Sequence, residues 1–128
     1  MNQNLKLLPP LNSNVRLPMR YLQTYEIPLV KYLIRKAGLT AEFSNLDRIS
    51  VKSMKDGGMG SLRFITNTTN PKLSSVAAEC LFHDSDGIKV SATLNLDQNG
   101  QLFELDIWKV NFAPLLKWPQ LDELSEAV

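Results

Sequence analysis

The sequence has one cysteine, one histidine and no long apolar run, and each shortage narrows the functions open to it. Cys80 alone cannot form a disulfide within the chain, as is usual in a reducing compartment. No apolar stretch approaches the roughly 20 residues needed to span a bilayer, and residues 1–22 show no small-residue cleavage site of the signal-peptide kind. We therefore expect a cytoplasmic protein with no membrane partner.

The usual catalytic and nucleic-acid-binding groups are also scarce. Cys80 and His83 fall on opposite faces of one predicted strand, so they cannot form a local nucleophile pair, and the soft ligands are too few for zinc. No G-x-S-x-G elbow occurs. No run of Lys and Arg exceeds two residues, and the polar sheet face carries carboxylates that would repel phosphate. The sequence predicts no catalytic residues, no metal, no cofactor and no nucleic-acid partner.

The length of 128 residues predicts a single domain, which hydropathy divides into four segments. Residues 1–18 form an extended lead. Residues 24–38 show the apolar spacing of an amphipathic helix, with Thr24 as N-cap and Gly38 as the stop. Residues 47–110 alternate with the period of an antiparallel sheet, and residues 111–128 indicate a short helical tail. The predicted fold class is α+β: an antiparallel β-meander of about five strands with one main α-helix packed on one face.

Asp-Gly and Asn-Gly turns fix the register of the last three predicted strands, because these dipeptides supply the positive φ that tight hairpins need. The pairs expected in the first hairpin are Phe82 with Val90, Cys80 with Ala92 and Ala78 with Leu94. Those expected in the second are Val90 with Ile107, Ala92 with Leu105 and Leu94 with Phe103. Both registers place apolar side chains on one core face.

The strand LFELDIWKV, residues 102–110, places Glu104, Asp106 and Trp108 on the face opposite its apolar side chains. The residues expected across from these three are Thr93, Ser91 and Lys89, respectively. Three interpretations are open: a solvated face with weak ion pairs, a contact surface anchored by the indole, or a catalytic carboxylate pair roughly 6.5 to 7 Å apart. An open sheet face offers such a pair no evident pocket, which favours the first two interpretations.

Two turns resemble ligand-binding motifs without completing them. The glycine-rich turn in KDGGMGSL lacks the Lys-Ser/Thr ending of a P-loop. A structural turn is the preferred interpretation, and a functional turn is the alternative. The residues concerned are Asp56, Gly57, Gly58, Met59 and Gly60. The stretch Asp84-x-Asp86-Gly87 begins like a calcium loop but has no Glu at position 12, so a tight turn is favoured.

The sequence also carries a pattern specific enough to suggest a family. It consists of D-G-G-M-G-S-L from Asp56, D-G-x-x-V-x-A-x-L-N-x-D from Asp86, and E-L-D-x-W-K ending at Lys109. Over roughly residues 19–116 the chain resembles a small, largely uncharacterised bacterial family that is similar to immunity proteins of polymorphic or contact-dependent toxin systems. The resemblance implies binding to a cognate toxin and supplies no catalytic residues.

The resulting hypothesis is a cytoplasmic, non-enzymatic immunity protein that neutralises a C-terminal toxin domain by direct binding. A nuclease toxin would suit an acidic surface, because the active site of a nuclease is commonly basic. The expected partner-binding residues are Glu104, Asp106, Trp108, Lys89, Asp84, Asp86 and Asp97. The alternative is a small-molecule-binding domain or enzyme that uses Glu104 and Asp106 near the DGGMG turn. The oligomeric state is left open.

Overall fold

A computed structural model describes residues 18–39 and 45–126 of the chain. Within these residues the α-helix is α1 (Ile27–Lys36). The strands are β1 (Met19–Tyr21), β2 (Ser50–Ser53), β3 (Leu62–Phe64), β4 (Leu73–His83), β5 (Lys89–Asp97), β6 (Leu102–Lys109) and β7 (Ser125–Glu126). They form one antiparallel sheet in the order β1-β2-β3-β6-β5-β4-β7.

The α+β class with an antiparallel, meander-like sheet is confirmed, whereas the count of about five strands is wrong. The described residues contain seven strands, because β1 and β7 add one short strand at each edge. Strands of three and two residues are too short to show a period of two in the sequence. The sheet also departs from a simple meander, since the chain leaves β3 and enters β4 three positions further along the sheet, beyond β6 and β5.

Helix α1 lies inside the range expected for it, residues 24–38. A 3₁₀ turn, Thr24–Glu26, precedes it, with Gln23 rather than Thr24 at the N-cap. The buried Glu26 closes this turn by accepting the Gln23 N–H at 2.8 Å, and Arg20 binds the same carboxylate at 2.8 and 2.9 Å. Gly38 has φ of +77°, which confirms it as the residue that ends the helix.

The hydrophobic core lies between α1 and one face of the sheet. Helix α1 contributes its inward stripe, and the central strands contribute their alternate residues. The fully buried side chains include Leu29, Val30, Leu33, Val51, Cys80, Val90, Ala92, Leu94 and Leu105. No described helix is long and apolar enough to cross a membrane. The opposite face of the sheet, here named the outer face, lies away from α1.

The register of the first hairpin is confirmed, while the register of the second is wrong by two residues. Phe82 pairs with Val90, Cys80 with Ala92 and Ala78 with Leu94 as expected. The observed pairs of the second hairpin are Val90 with Lys109, Ala92 with Ile107 and Leu94 with Leu105. The parity is preserved, so the core-facing residues of β5 are unchanged, but the β6 partners of Val90, Ala92 and Leu94 each move along by two.

A β-bulge at Phe103 accounts for part of the difference. Leu96 pairs with Leu102 and Asn95 with Glu104, which leaves Phe103 as the extra residue on β6. Leu102 takes the core position that was expected for Phe103. Phe103 instead lies under the guanidinium of Arg63, whose Cζ is 4.3 Å from the ring centroid.

The C-terminal segment is mostly extended rather than helical. A 3₁₀ turn, Leu121–Glu123, is the helical element of this tail, and β7 follows it. The helical prediction for residues 111–128 is therefore correct only for one turn of the described part. Residues 127–128, and residues 1–17 of the expected extended lead, lie outside the described residues.

Candidate functional site

The outer face is built from the alternate residues of β4, β5 and β6 that point away from the core. Two cross-strand rows cross its middle. One row runs from Glu79 through Thr93 to Asp106, and the next runs from Leu81 through Ser91 to Trp108. Thr93 and Ser91 thus each face a different β6 residue from the one expected, because of the shifted register. Asp106 and Trp108 stand on the outer face as the sequence predicts.

Trp108 forms an aromatic pair with Phe112 on this face. The ring centroids are 4.8 Å apart and the planes meet at 76°, an edge-to-face arrangement. Trp108 is 45% exposed and Phe112 is 62% exposed. Phe112 also has φ of +63°, a conformation that a bulky L-residue rarely adopts. The turn after β6 therefore holds a large apolar side chain in water at some cost in backbone strain.

The carboxylates Glu104 and Asp106 do not form an equivalent pair. Arg63 lies directly across from Glu104, and its Nε donates to the Glu104 carboxylate at 3.1 Å while its Nη2 forms a second contact. Asp106 is exposed and has no such cation among the described residues. Desolvation by neighbouring atoms, and then the charges of Glu104 and Asp56, raise the pKa of Asp106. A cationic group from outside would favour the ionised carboxylate and so lower this pKa.

Lys89 lies at the end of the outer face rather than across from Trp108. Its carbonyl oxygen accepts the Val110 N–H at 3.1 Å, which places it beside the turn that follows β6. Within residues 18–39 and 45–126, Lys89 takes part in no ion pair. The expected pairing of Lys89 with Trp108 is therefore wrong, because Ser91 faces Trp108 instead.

The acidic turn residues Asp84 and Asp86 are bound by Lys109, whose side chain is completely buried. The Lys109 Nζ donates to the Asp84 Oδ2 at 2.8 Å, to the Asp86 Oδ2 at 2.7 Å and to the Pro114 carbonyl at 3.2 Å. Asp84 also accepts the N–H groups of Leu116 and Lys117, at 2.8 and 3.0 Å. We call this set, with chain segment 114–117, the Lys109 cluster.

The pKa values in the Lys109 cluster follow from this geometry. Burial alone would raise the pKa of Asp84, but the ammonium of Lys109 and three backbone N–H groups outweigh it, so the pKa lies below its ordinary value. Burial would lower the pKa of Lys109, and the two carboxylates outweigh it in turn, so that pKa is raised. The cluster therefore stays ionised and fixes the C-terminal segment against the β4–β5 turn.

The glycine-rich turn fixes the same segment from the other side. The Asp56 carboxylate accepts the N–H groups of Met59 and Ser61, at 3.0 and 2.8 Å. The Gly58 carbonyl accepts the Leu115 N–H at 2.9 Å. A Cβ on Gly60 would lie 3.0 Å from the Trp118 ring, and Gly60 has φ of +105°. The internal contacts of this turn explain its glycines without a phosphate ligand.

Asp97 is likewise used inside the protein. It is 2% exposed, and its Oδ1 accepts the N–H groups of Asn99 and Gln101 within the β5–β6 turn, at 2.8 and 3.0 Å. Of the seven expected partner-binding residues, Asp84 and Asp97 are thus buried, and Asp86 and Glu104 are engaged by cations of the same chain. Asp106, Trp108 and Lys89 remain accessible, and the structure adds Phe112 and Glu79.

The burial of Lys109 could be predicted from the sequence. The period of two that places Ile107 in the core also places Lys109 there, and a buried lysine requires carboxylate partners. Phe112 has no comparable signal, because it lies beyond the strand and its exposure depends on the conformation of the turn. Glu79 does have a signal, because the confirmed register of the first hairpin places it across from Thr93 on the outer face.

These observations define the class of the protein: an α+β fold whose internal charges fix its C-terminal segment and whose outer face exposes aromatic and acidic groups. The chain belongs to the family described as domain of unknown function (DUF6984), whose pattern matches residues 19–119. No curated protein and no solved structure matches the chain. The family description carries no activity, so the resemblance to immunity proteins stays a prediction.

Proposed function

We propose that the outer face binds another protein, and that this partner is a bacterial toxin domain which the chain neutralises without catalysis. The observation that carries the proposal is the exposed pair of Trp108 and Phe112 beside the carboxylate of Asp106, which takes part in no ion pair with another described residue. Exposed tryptophan with neighbouring charge is typical of interface hot spots. The strained backbone at Phe112 supports the same proposal, since the ring remains 62% exposed although it packs on Trp108.

The chemistry of the face indicates what the partner presents. Asp106 and Glu79 lie on either side of Thr93, so two carboxylates flank one row of the sheet. A lysine or arginine of the partner placed there would be attracted by both carboxylates, and would favour the ionised form of Asp106. A basic active-site cleft meets this requirement, which is why a nuclease toxin is the favoured partner class.

The alternative of an enzyme using Glu104 and Asp106 has less support. General acid–base work by two carboxylates requires one to be free to accept a proton and the other to hold one near the reacting atoms. Glu104 is bound by Arg63, so its charge is already compensated within the sheet. Asp106 is exposed on a sheet face rather than enclosed. Binding to another protein requires no proton transfer, so it is compatible with a paired Glu104 and an exposed Asp106.

Calorimetric titration with a toxin domain tests the proposal. The partner to use is the C-terminal region of the protein encoded beside this chain's gene, first shown to arrest growth when it is expressed alone. Replacing Trp108 by alanine should weaken binding at least about tenfold, the loss expected at a hot spot. Tyr25→Ala is the matched control, because Tyr25 is 55% exposed and lies beside α1 rather than on the outer face.

Growth protection gives the functional readout for the same variants. Cells that express the toxin domain should survive with the wild-type chain or with Tyr25→Ala, and should stop growing with the double variant Trp108→Ala, Phe112→Ala. Full protection by the double variant, at equal protein level, would exclude the outer face as the inhibitory surface. A neighbouring protein that causes no arrest would contradict the toxin assignment and leave only the protein-binding surface to test.

A further inference from the structure

A second surface lies on the helix side of the sheet, away from the outer face. A groove of about 600 Å³ runs along the exposed flank of α1, with the C-terminal segment as its other wall. We name it the α1 groove. Its apolar lining comes from Ile27, Pro28 and Leu121, and the cations Lys31, Arg35 and Lys36 line it as well. Its volume is within the range of small ligand sites and peptide anchor pockets.

The α1 groove already binds one carboxylate of the protein itself. Glu126, in the short strand β7, accepts a hydrogen bond from the Tyr32 Oη at 3.0 Å and an ion pair from the Lys36 Nζ at 2.7 Å. These two donors lower the pKa of Glu126. The Glu126 side chain is still 67% exposed, and β7 pairs with only two residues of β4. The contact shows how the groove holds a carboxylate from an extended segment.

Two further cations of the groove have no partner within the described residues. Lys31 and Arg35 are four residues apart on α1, so their side chains project from the same flank about 6 Å apart. Both are exposed, and neither takes part in an ion pair in the described part of the chain. Leu121 is 58% exposed in the same groove. The groove therefore combines apolar surface with two cations that have no ion-pair partner among the described residues.

We propose that the α1 groove binds an acidic, amphipathic peptide segment of a partner protein. Carboxylates of the segment contact Lys31 and Arg35, and its apolar side chains cover Leu121 and Ile27. Charge favours an acidic occupant and excludes one segment of the chain itself: residues 1–17 contain Lys6 and Arg16 and no acidic residue, so the positive groove repels them. The site is separate from the outer face, and its partner need not be the toxin.

The probe is a synthetic peptide with the sequence of residues 119–128, PQLDELSEAV, which carries the carboxylate that the groove already holds. Its control has every Asp and Glu replaced by the amide. Titration of the full chain, followed by NMR chemical shifts, should show the acidic peptide shifting the resonances of α1. The amide peptide should leave them unchanged. Equal shifts with both peptides would overturn the assignment of charge recognition.

Variants of the full chain locate the contacts. Glu126→Gln releases Tyr32 and Lys36, so the acidic peptide should bind it about two- to fivefold more tightly than wild type, the range of one exposed ion pair. The double variant Lys31→Glu, Arg35→Glu should bind at least about fourfold more weakly. Its charge-matched control is Lys55→Glu, Lys72→Glu, two exposed lysines outside the groove and the outer face. Equal affinity in all variants would overturn the site.

Two further experiments distinguish the peptide proposal from binding at the outer face and from a small-molecule site. Trp108→Ala should bind the peptide like wild type, because the outer face takes no part; a loss there would contradict the separation of the two surfaces. Dodecanoate tests a small anionic amphiphile as the ligand. If dodecanoate shifts the α1 resonances and the acidic peptide does not, the groove is a small-molecule site and the peptide proposal fails.

Discussion

The Lys109 cluster and the outer face use the same residue type in opposite ways, although both are partly built from β6. In the cluster, Asp84 is enclosed by an ammonium and backbone N–H groups of its own chain. On the outer face, Asp106 has neighbouring carboxylates and no cation among the described residues. The pKa of Asp84 is accordingly lowered and that of Asp106 is raised.

The comparison shows which acidic residues fold the protein and which are left for a partner. A buried carboxylate with complete partners contributes to the native structure, because removing it leaves a buried cation without compensation. An exposed carboxylate in a repulsive setting contributes nothing to folding. Isosteric substitution of the two aspartates should therefore have effects of opposite sign.

The largest effect is expected from Asp84→Asn. The amide has one accepting oxygen, so its NH2 group would face the donors at either the former Oδ1 or the former Oδ2. In either orientation the buried ammonium loses the negative charge of its main partner. We expect the free energy of unfolding to fall by about 3 kcal/mol, as for other broken buried ion pairs. Urea denaturation measures it. Asp86→Asn is the control and should cost clearly less, because the Asp86 side chain is 35% exposed. Equal losses would contradict the central place given to Asp84.

Replacing glycine in the turn that holds the tail should have the next largest effect. Gly60→Ala adds a Cβ 3.0 Å from the Trp118 ring at φ of +105°, and should lower the free energy of unfolding by about 2 kcal/mol. In Gly57→Ala the new Cβ has nothing within 4 Å, so only the strain of a positive φ remains. Its free energy of unfolding should fall by about 1 kcal/mol. Thermal denaturation of both variants gives the difference. A smaller loss at Gly60 would mean that the tail does not pack tightly on the turn.

Acid should abolish the contribution of Asp84. Its pKa is lower in the folded chain than its ordinary value of 3.8, so its stabilisation is present above that value and is lost as the pH falls through the folded pKa. The difference in unfolding free energy between wild type and Asp84→Asn should therefore stay constant from about pH 7 to 5 and shrink below about pH 4. Urea titrations across this range measure it. A difference that persists to about pH 2 would assign the loss to packing rather than charge.

The smallest effect is expected from Asp106→Asn. A carboxyl group whose pKa is raised on folding is less favourable as an anion in the folded protein, so neutralising it at pH 7 should not destabilise the chain. Because Asp106 is exposed and screened by solvent, we expect a gain of less than about 0.5 kcal/mol. Differential scanning calorimetry compares the variant with wild type. A clear loss of stability would identify an intramolecular partner for Asp106.

Much of the fold follows from the sequence for identifiable reasons. The 3.6-residue period of α1 and the two-residue period of β4, β5 and β6 are strong signals, and the Asp-Gly turn fixes the first hairpin correctly. The second register fails in part because a bulge at Phe103 adds a residue that alternation cannot reveal, and in part because the turn closes between Asp97 and Gln101. The strand order fails because nothing local states that β3 lies beside β6.

The candidate site is less predictable from the sequence than the fold. Alternation correctly places Asp106 and Trp108 on the outer face, since parity survives the shift in register. It cannot tell that Asp84 and Asp97 are buried, because turn residues have no period. Their burial depends on the C-terminal segment, which returns to the β4–β5 turn from more than thirty residues away.

The most direct test of the central claim is calorimetric titration of the toxin domain with Asp106→Lys, alongside Asp122→Lys, an exposed acidic residue outside the outer face. Both variants should have the melting temperature of the wild type. Asp106→Lys should bind at least about tenfold more weakly, because a repulsive charge replaces an attractive one, while Asp122→Lys should bind like wild type. Wild-type affinity in a folded Asp106→Lys variant would contradict the account.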